Sequence, residues 1–238
     1  MPASKYEAIY ECIRKAIETE EYQRILPSEN ALVQRFSCSR NTIRRAEARL
    51  AEEGYVQSVH GKGVVILRHR REQAQFVIGG IESMKEAAER NRLSLRTRVI
   101  HFTELTIDAD LSTITGFPEH EELYYLQRVR FLDGEALILD HNYFLKRVVR
   151  GLTPTIAEDS VYAYVENVLG ESIVTTQRKY TVEPATALDM EYMDLKGLNC
   201  LAVVSSRTYN KDGVLFEFTQ SRHRPDRFVF YGQAQRKR

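Results

Sequence analysis

Between Leu26 and Leu67 the apolar positions change period twice. Leu32, Val33 and Phe36 recur at helical spacing, and Ile43, Ala46 and Leu50 follow at steps of three and four. Each set predicts one apolar stripe on a helix. Beyond Gly54 two β-rich runs, Tyr55–Val59 and Val64–Ile66, flank His60-Gly61-Lys62-Gly63 and predict a hairpin. Ser28 and Ser39 stand where N-caps belong, with Glu29 in the first turn, and Gly54 stands where a left-handed residue closes the second helix. Upstream, Tyr6, Ile9, Cys12, Ile13, Ala16 and Ile17 predict a further helix, opened by Ser4 and Glu7 as a capping box. Cys12 is expected on its apolar stripe as a reduced core thiol. Three helices and a hairpin predict a winged helix-turn-helix over residues 1–67.

The pattern breaks at Arg68-His69-Arg70-Arg71-Glu72-Gln73, which places a linker over 68–75. From Phe76 to the end at 238 the alternation predicts an α+β domain with mostly antiparallel strands. Phe76-Val77-Ile78 is a short strand, and Gly79-Gly80 precedes a helix carrying Met84, Ala87 and Ala88 with Ser83 at its start. Arg98–Glu104 is a strand and Asp108–Thr115 a short helix. Leu123–Leu132 and Glu135–Phe144 flank Asp133-Gly134, and Cys200–Asn210 and Val214–His223 flank Asp212-Gly213; each pair predicts a hairpin with a two-residue turn. Ser160 caps a helix running to Gly170. Ile173–Thr176 and Lys179–Val182 are two strands, Thr186–Met193 is a short helix, and Phe228–Tyr231 is an edge strand.

Charge sharpens this division. The 238-residue chain carries a net +1, yet residues 1–71 hold 13 basic and 9 acidic side chains against 21 and 24 in the remainder. A basic front joined to a mildly acidic body fits nucleic-acid binding confined to one end. At about 100° per residue, Arg40, Asn41 and Arg44 share a face of the second helix away from its apolar stripe. Arginine and asparagine suit guanine edges, adenine edges and phosphates. His60 and Lys62 on the hairpin tip, with Gly61 between them, are placed to reach a neighbouring groove or phosphate. The three cysteines are scattered without CxxC pairing. No secretory signal opens the chain and no apolar run reaches membrane-spanning length, so a cytoplasmic protein is expected.

In the second domain two constellations carry chemistry. Arg128 and Arg130 are alternate residues of one strand and share a face about 7 Å apart. Burying both without an anion is costly, and Ser83 and Ser160 at helix starts offer hydroxyls and free backbone N–H groups to a phosphate. Spacing alone serves equally a solvated face on which both arginines pair with acids. Glu217, Thr219, Ser221 and His223 alternate along another strand and suit sugar hydroxyls or acid–base work. No nucleophile elbow, P-loop, metal-ligand spacing or GxGxxG accompanies them. A binding site without metal or catalytic residues is therefore expected.

The segments ILPSENALVQRF, SRNTIRRA, LAEEGYVQSVHGKGVVI and FTQSRHRPDRF resemble the GntR-type transcription regulators of the HutC branch, almost end to end. GGIESMKE, LILDHNYF, SVYAYVE, VEPAT and DLKG resemble, more narrowly, the group governing trehalose operons. The resemblance implies a winged helix before a UTRA domain of chorismate-lyase-like fold, acting as a sensor and not an enzyme. It implies a homodimer on double-stranded operator DNA, released by a sugar phosphate. Trehalose 6-phosphate is the expected effector, an amino-sugar 6-phosphate the alternative. By position it makes Ser39, Arg40, Asn41, Thr42 and Arg44 recognition-helix contacts and His60, Gly61 and Lys62 wing contacts. Asn30 stands where several members place a DNA-touching arginine. Ser83, Arg128, Arg130, Ser160 and Tyr162 align with a phosphate site, and Glu217 and His223 with sugar contacts. Glucosamine-type relatives carry tyrosine in place of His223, so a different sugar is implied. Reordering around Gly79-Gly80-Ile81 is expected to relay binding to the DNA-binding heads.

Overall fold

Three helices share one core at the N-terminus: α1 (Lys5–Glu18), α2 (Glu29–Phe36) and α3 (Arg40–Glu52). Ser28 Oγ accepts from the Ala31 N–H at 3.3 Å and Ser39 Oγ from the Thr42 N–H at 3.2 Å, so both predicted N-caps are made. Between α2 and α3 the chain turns through Ser37 at φ 47°, and after α3 through Gly54 at φ 76°. There the Gly54 and Tyr55 N–H groups donate to Ala51 and Leu50 carbonyls, which satisfies the end of α3. Ile9, Ile13, Leu32, Ile43, Ala46 and Leu50 meet in the core with Val56 and Ile66 from the antiparallel hairpin β1 (Val56–Val59) and β2 (Gly63–Ile66). Cys12 is exposed, contrary to expectation. The buried stripe of α1 is rotated toward Tyr10, whose hydroxyl donates to Glu53 at the end of α3.

This computed structural model describes residues 5–67, 76–77 and 81–230, in a chain that separates into two compact units. The predicted Ser4 cap, the linker and Gly79-Gly80 lie outside the described residues.

The second unit is built on a six-stranded antiparallel sheet. Its strands are β4 (Leu95–Thr106), β5 (Glu122–Leu132), β6 (Glu135–Leu145), β7 (Ile173–Pro184), β8 (Cys200–Asn210) and β9 (Leu215–His223), in the order β4-β5-β6-β9-β8-β7. Asp133 and Gly134 both take positive φ, 49° and 85°, as a two-residue turn matched to strand twist requires. The β8–β9 turn is wider than expected. Only Gly213 is left-handed there, and Asn210 Oδ1 accepts from the N–H groups of Asp212 and Val214. β7 is one strand and not two, because Gln177 and Arg178 continue its ladder opposite Arg207 and Ser206. An edge strand tolerates such polar residues on a wetted side. Phe228–Val229, β10, does not extend this sheet; it pairs in parallel with β3 (Phe76–Val77) after a 3-10 turn at Pro225–Arg227 redirects the chain.

Helices α4 (Met84–Asn91), α5 (Ala109–Thr115), α6 (Pro154–Glu158), α7 (Val161–Ala163) and α8 (Ala187–Tyr192) complete the unit. The predicted helix from Ser160 to Gly170 passes into a π-helical turn over Tyr164–Val168. The sequence reading missed α6, although Thr153 as cap and Pro154 in the first turn announce it. In the β5–β6 ladder Arg130 faces Ile138 while Phe131 faces Ala136, leaving Leu137 as an extra residue. Leu137 and Ile138 consequently both pack with Ala87 and Ala88 of α4, and Ala136 joins Val129, Phe131 and Leu139 in a separate cluster. Among the described residues no helix is long and apolar enough to cross a membrane.

A Cβ on Gly134 would meet nothing within 4 Å, so substitution there tests backbone strain alone. Gly134→Ala is expected to destabilise the second unit by about 1–2 kcal/mol, measured as a lowered unfolding midpoint.

Candidate functional site

On the winged helix, capping by Ser39 starts α3 with Arg40, Asn41 and Arg44 turned outward and Ile43, Ala46 and Leu50 inward. Arg40 and Arg44 are about two-thirds exposed. Both approach Glu29 of α2, Arg44 Nε at 3.0 Å and Arg40 Nε at 3.8 Å, while Arg40 Nη2 donates to Asn30 Oδ1 at 3.0 Å. Exposed pairs of this kind contribute little, so the guanidinium groups stay exchangeable toward phosphates or base edges. Thr42 is half-buried with its hydroxyl 2.8 Å from Ser39 Oγ. His60, Gly61 and Lys62 form the exposed hairpin tip, where Gly61 takes φ 76°.

In the second unit all seven predicted effector residues line one cavity of about 120 Å³. On the same measure a single water needs roughly 10–15 Å³, so the space suits a ligand larger than a lone anion. β5 supplies the cationic wall. Arg128 donates through Nε to Asn142 Oδ1 at 2.7 Å and through Nη1 to the Ala157 carbonyl at 3.1 Å. Arg130 donates through Nε to Asp140 Oδ2 at 2.8 Å and through Nη1 to Thr97 Oγ1 at 2.7 Å. Each arginine is only 5% exposed. Asp140 Oδ2 lies 4.0 Å from Arg128 Nη2, and Ser221 Oγ donates to Asp140 Oδ1 at 2.7 Å. One carboxylate thus stands between two guanidinium groups. Burial and the neighbouring Arg130 charge push the Arg128 pKa down to about 9, which leaves it protonated at neutral pH. Burial alone would raise the Asp140 carboxyl, but Arg130, Arg128 and the Ser221 hydroxyl outweigh it and hold it below its ordinary value.

The opposite end is polar and acidic. Glu217 accepts from Thr219 Oγ1 and from the Tyr162 hydroxyl, each at 2.8 Å. Burial, then the Glu217 charge, push the Tyr162 phenol well above its usual pKa. His223 is not at that end: it lies level with Arg130 in the β5–β6–β9 register, feels the Asp140 charge and is buried against the Phe228 ring, and desolvation lowers its pKa to about 4. The imidazole is therefore neutral at physiological pH.

Ser83 and Ser160 line the cavity, with a correction to the free N–H groups expected around them. Ser83 Oγ accepts from the Glu86 N–H while Glu86 accepts the Ser83 N–H at 2.6 Å, a closed capping box. Ser160 Oγ accepts from the Ala163 N–H at 3.2 Å. Sequence reasoning missed Asp140 and Asn142, although their alternation in Leu139-Asp140-His141-Asn142 carried the signal. It missed Thr176 and Arg178, which also line the cavity, because it broke β7 between them. Among the described residues no group of three or more His, Cys, Asp or Glu side chains is arranged to hold a metal ion.

Comparison with known proteins identifies the family of each unit. Residues 5–66 match the bacterial regulatory proteins of the gntR family, and residues 90–229 match the UTRA domain. The chain belongs to the GntR family of transcription regulators. This GntR regulator is 37% identical, over 99% of both chains, to the HTH-type transcriptional regulator TreR of Bacillus subtilis. It is 26% identical to the repressor NagR of the same organism, covering 96% of this chain and 94% of NagR. Among solved structures, the B. subtilis trehalose repressor (TreR) effector binding domain aligns with a TM-score of 0.54 at 35% identity, covering 60% of this chain and 99% of that one. Possible regulator YydK of B. subtilis shares the fold at a TM-score of 0.80 and 22% identity, covering 98% of this chain and 100% of that one. These relatives are transcription regulators and not enzymes. A UTRA-containing GntR regulator pairs DNA binding with a small-molecule effector.

The depressed His223 pKa fixes a stability trend. Below its ordinary value of 6.5 the unfolded imidazole binds a proton that the folded one refuses until about 4. Stability is therefore expected to fall as pH drops from 6.5 toward 4, by up to about 1.4 kcal/mol per unit for each proton involved. His141, lowered chiefly by burial, adds to the trend. Unfolding midpoints measured across this window should show a shallower slope in His223→Gln.

Proposed function

We propose that this chain is a cytoplasmic, homodimeric repressor of trehalose-utilisation genes that trehalose 6-phosphate releases from operator DNA. Residues 1–67 bind DNA, 68–75 link, and 76–238 bind the effector and dimerise. The observation that carries the reading is the meeting of Ser83, Arg128, Arg130, Ser160, Tyr162, Glu217 and His223 around one cavity, where two buried guanidinium groups share the wall with the Glu217 carboxylate. The likeness to the effector-binding domain of the B. subtilis trehalose repressor supports the choice of sugar.

In this reading the phosphate sits against Arg128 and Arg130 with Ser83 and Ser160 around it, Tyr162 joins them by exchanging its hydrogen bond to Glu217, and sugar hydroxyls meet Glu217 and His223. Charge-assisted donors of fixed geometry favour a phosphate over a neutral group. Arg40, Asn41 and Arg44 address base edges and phosphates, Ser39, Thr42 and Asn30 steady the helix on the backbone, and His60, Gly61 and Lys62 address the neighbouring groove. Two such heads meet half-sites about one helical turn or a multiple apart. Release requires the effector to bind the DNA-free arrangement more tightly than the DNA-bound one.

A gel-shift on the chain's own upstream region, with and without trehalose 6-phosphate, tests the whole reading; a complex that persists at saturating effector refutes it. Arg40→Ala is expected to weaken operator binding by about 10- to 100-fold while leaving calorimetric effector affinity unchanged. Arg128→Lys keeps a charge but loses the fork; this variant is expected to hold the operator and resist release at effector concentrations that free the wild type.

A further inference from the structure

A continuous line of hydrogen bonds joins the two ends of the cavity. Arg128 Nε donates to Asn142 Oδ1 at 2.7 Å, Asn142 Nδ2 donates to Thr219 Oγ1 at 2.8 Å, and Thr219 Oγ1 donates to Glu217 Oε1 at 2.8 Å. It crosses three neighbouring strands, β5, β6 and β9, with Asn142 and Thr219 directly opposed in the ladder. Its direction is obligatory. A guanidinium has no acceptor and a carboxylate no donor, so Arg128 fixes which way the Asn142 amide faces. The amide then occupies an acceptor site of Thr219, whose single hydroxyl hydrogen goes to Glu217. All four residues are at most 9% exposed, so water does not replace a missing partner cheaply.

Each group of the line is left with a defined remainder. Among the described residues Arg128 Nη2 has a 4.0 Å approach to Asp140 and no hydrogen bond. Glu217 has one oxygen held by Thr219 and the other by the Tyr162 hydroxyl, which sets the plane of the carboxylate. The anion donor and the hydroxyl acceptor thereby stand at a set distance and orientation.

We infer that Asn142 and Thr219 are positioning residues that couple the Arg128 end of the cavity to the Glu217 end, so that it selects ligands carrying an anion and a hydroxyl at matched separation over a bare anion. The inference rests on the sugar-phosphate reading of the cavity. It assigns selectivity to two residues that line the cavity between those ends.

Thr219→Val keeps the shape and deletes the hydroxyl; Thr219→Ser restores the hydroxyl. Calorimetry on the full chain with trehalose 6-phosphate, glucose 6-phosphate and inorganic phosphate, the last by competition, reads the affinities. Thr219→Val is expected to lose about tenfold in affinity for trehalose 6-phosphate with inorganic phosphate unchanged, and Thr219→Ser to regain wild-type values. If the valine variant does not fold by thermal melting, Thr219→Cys, with a weak donor, takes its place. Equal losses for sugar phosphate and inorganic phosphate, or no loss for either, overturn the coupling while leaving the proposed function standing. A wild-type chain that binds inorganic phosphate but neither sugar phosphate overturns the proposed function and the coupling together.

Discussion

Two guanidinium groups buried side by side on one sheet face constrain the whole sensing unit. Removing such charges from water costs several kcal/mol apiece, and the cost is tolerable only where hydrogen bonds and counter-charge are arranged for them. Arg128 and Arg130 draw on Asn142, Asp140, Thr97 and the Ala157 carbonyl, which come from the two flanking strands and from α6. The register of β4, β5 and β6 and the seat of α6 are thus tied to one electrostatic requirement. Asp140 offsets one positive charge of the two, and the remainder faces the cavity.

The winged helix uses the same side chain under opposite conditions. Arg40 and Arg44 keep their hydration, and Glu29 near them is a partner that solvent screens. Such groups trade a surface carboxylate for a polyanion at small cost. The buried pair cannot be rearranged so lightly, which suits recognition of one small ligand against many. Burial, not residue type, divides the two settings of arginine in this chain.

Much of this was legible from spacing because the deciding features are local. Ser28, Ser39 and Ser83 announced helix starts through short-range caps, and Asp133-Gly134 announced its turn through two left-handed residues. The alternation of Arg128 and Arg130, and of Glu217 through His223, placed each set on one face before any packing was known. What spacing did not show depends on partners distant in sequence. Cys12 lost the buried stripe because Tyr10 finds Glu53 on another helix. Arg178 was missed because β7 gains its continuity from pairing with β8, not from its own pattern. Asp140 becomes recognisable as a counter-ion only once β5 lies beside it.

The extra residue at Leu137 carries a consequence for how this scaffold tolerates change. By interrupting strict alternation it lets two consecutive apolar side chains lie under α4, while Asp140 and Asn142, a few residues on, still point at the arginines. Deleting it would restore a regular pleat and exchange inside for outside on one side of the site. The number of residues between the Asp133-Gly134 bend and Asp140 therefore behaves as a counted quantity.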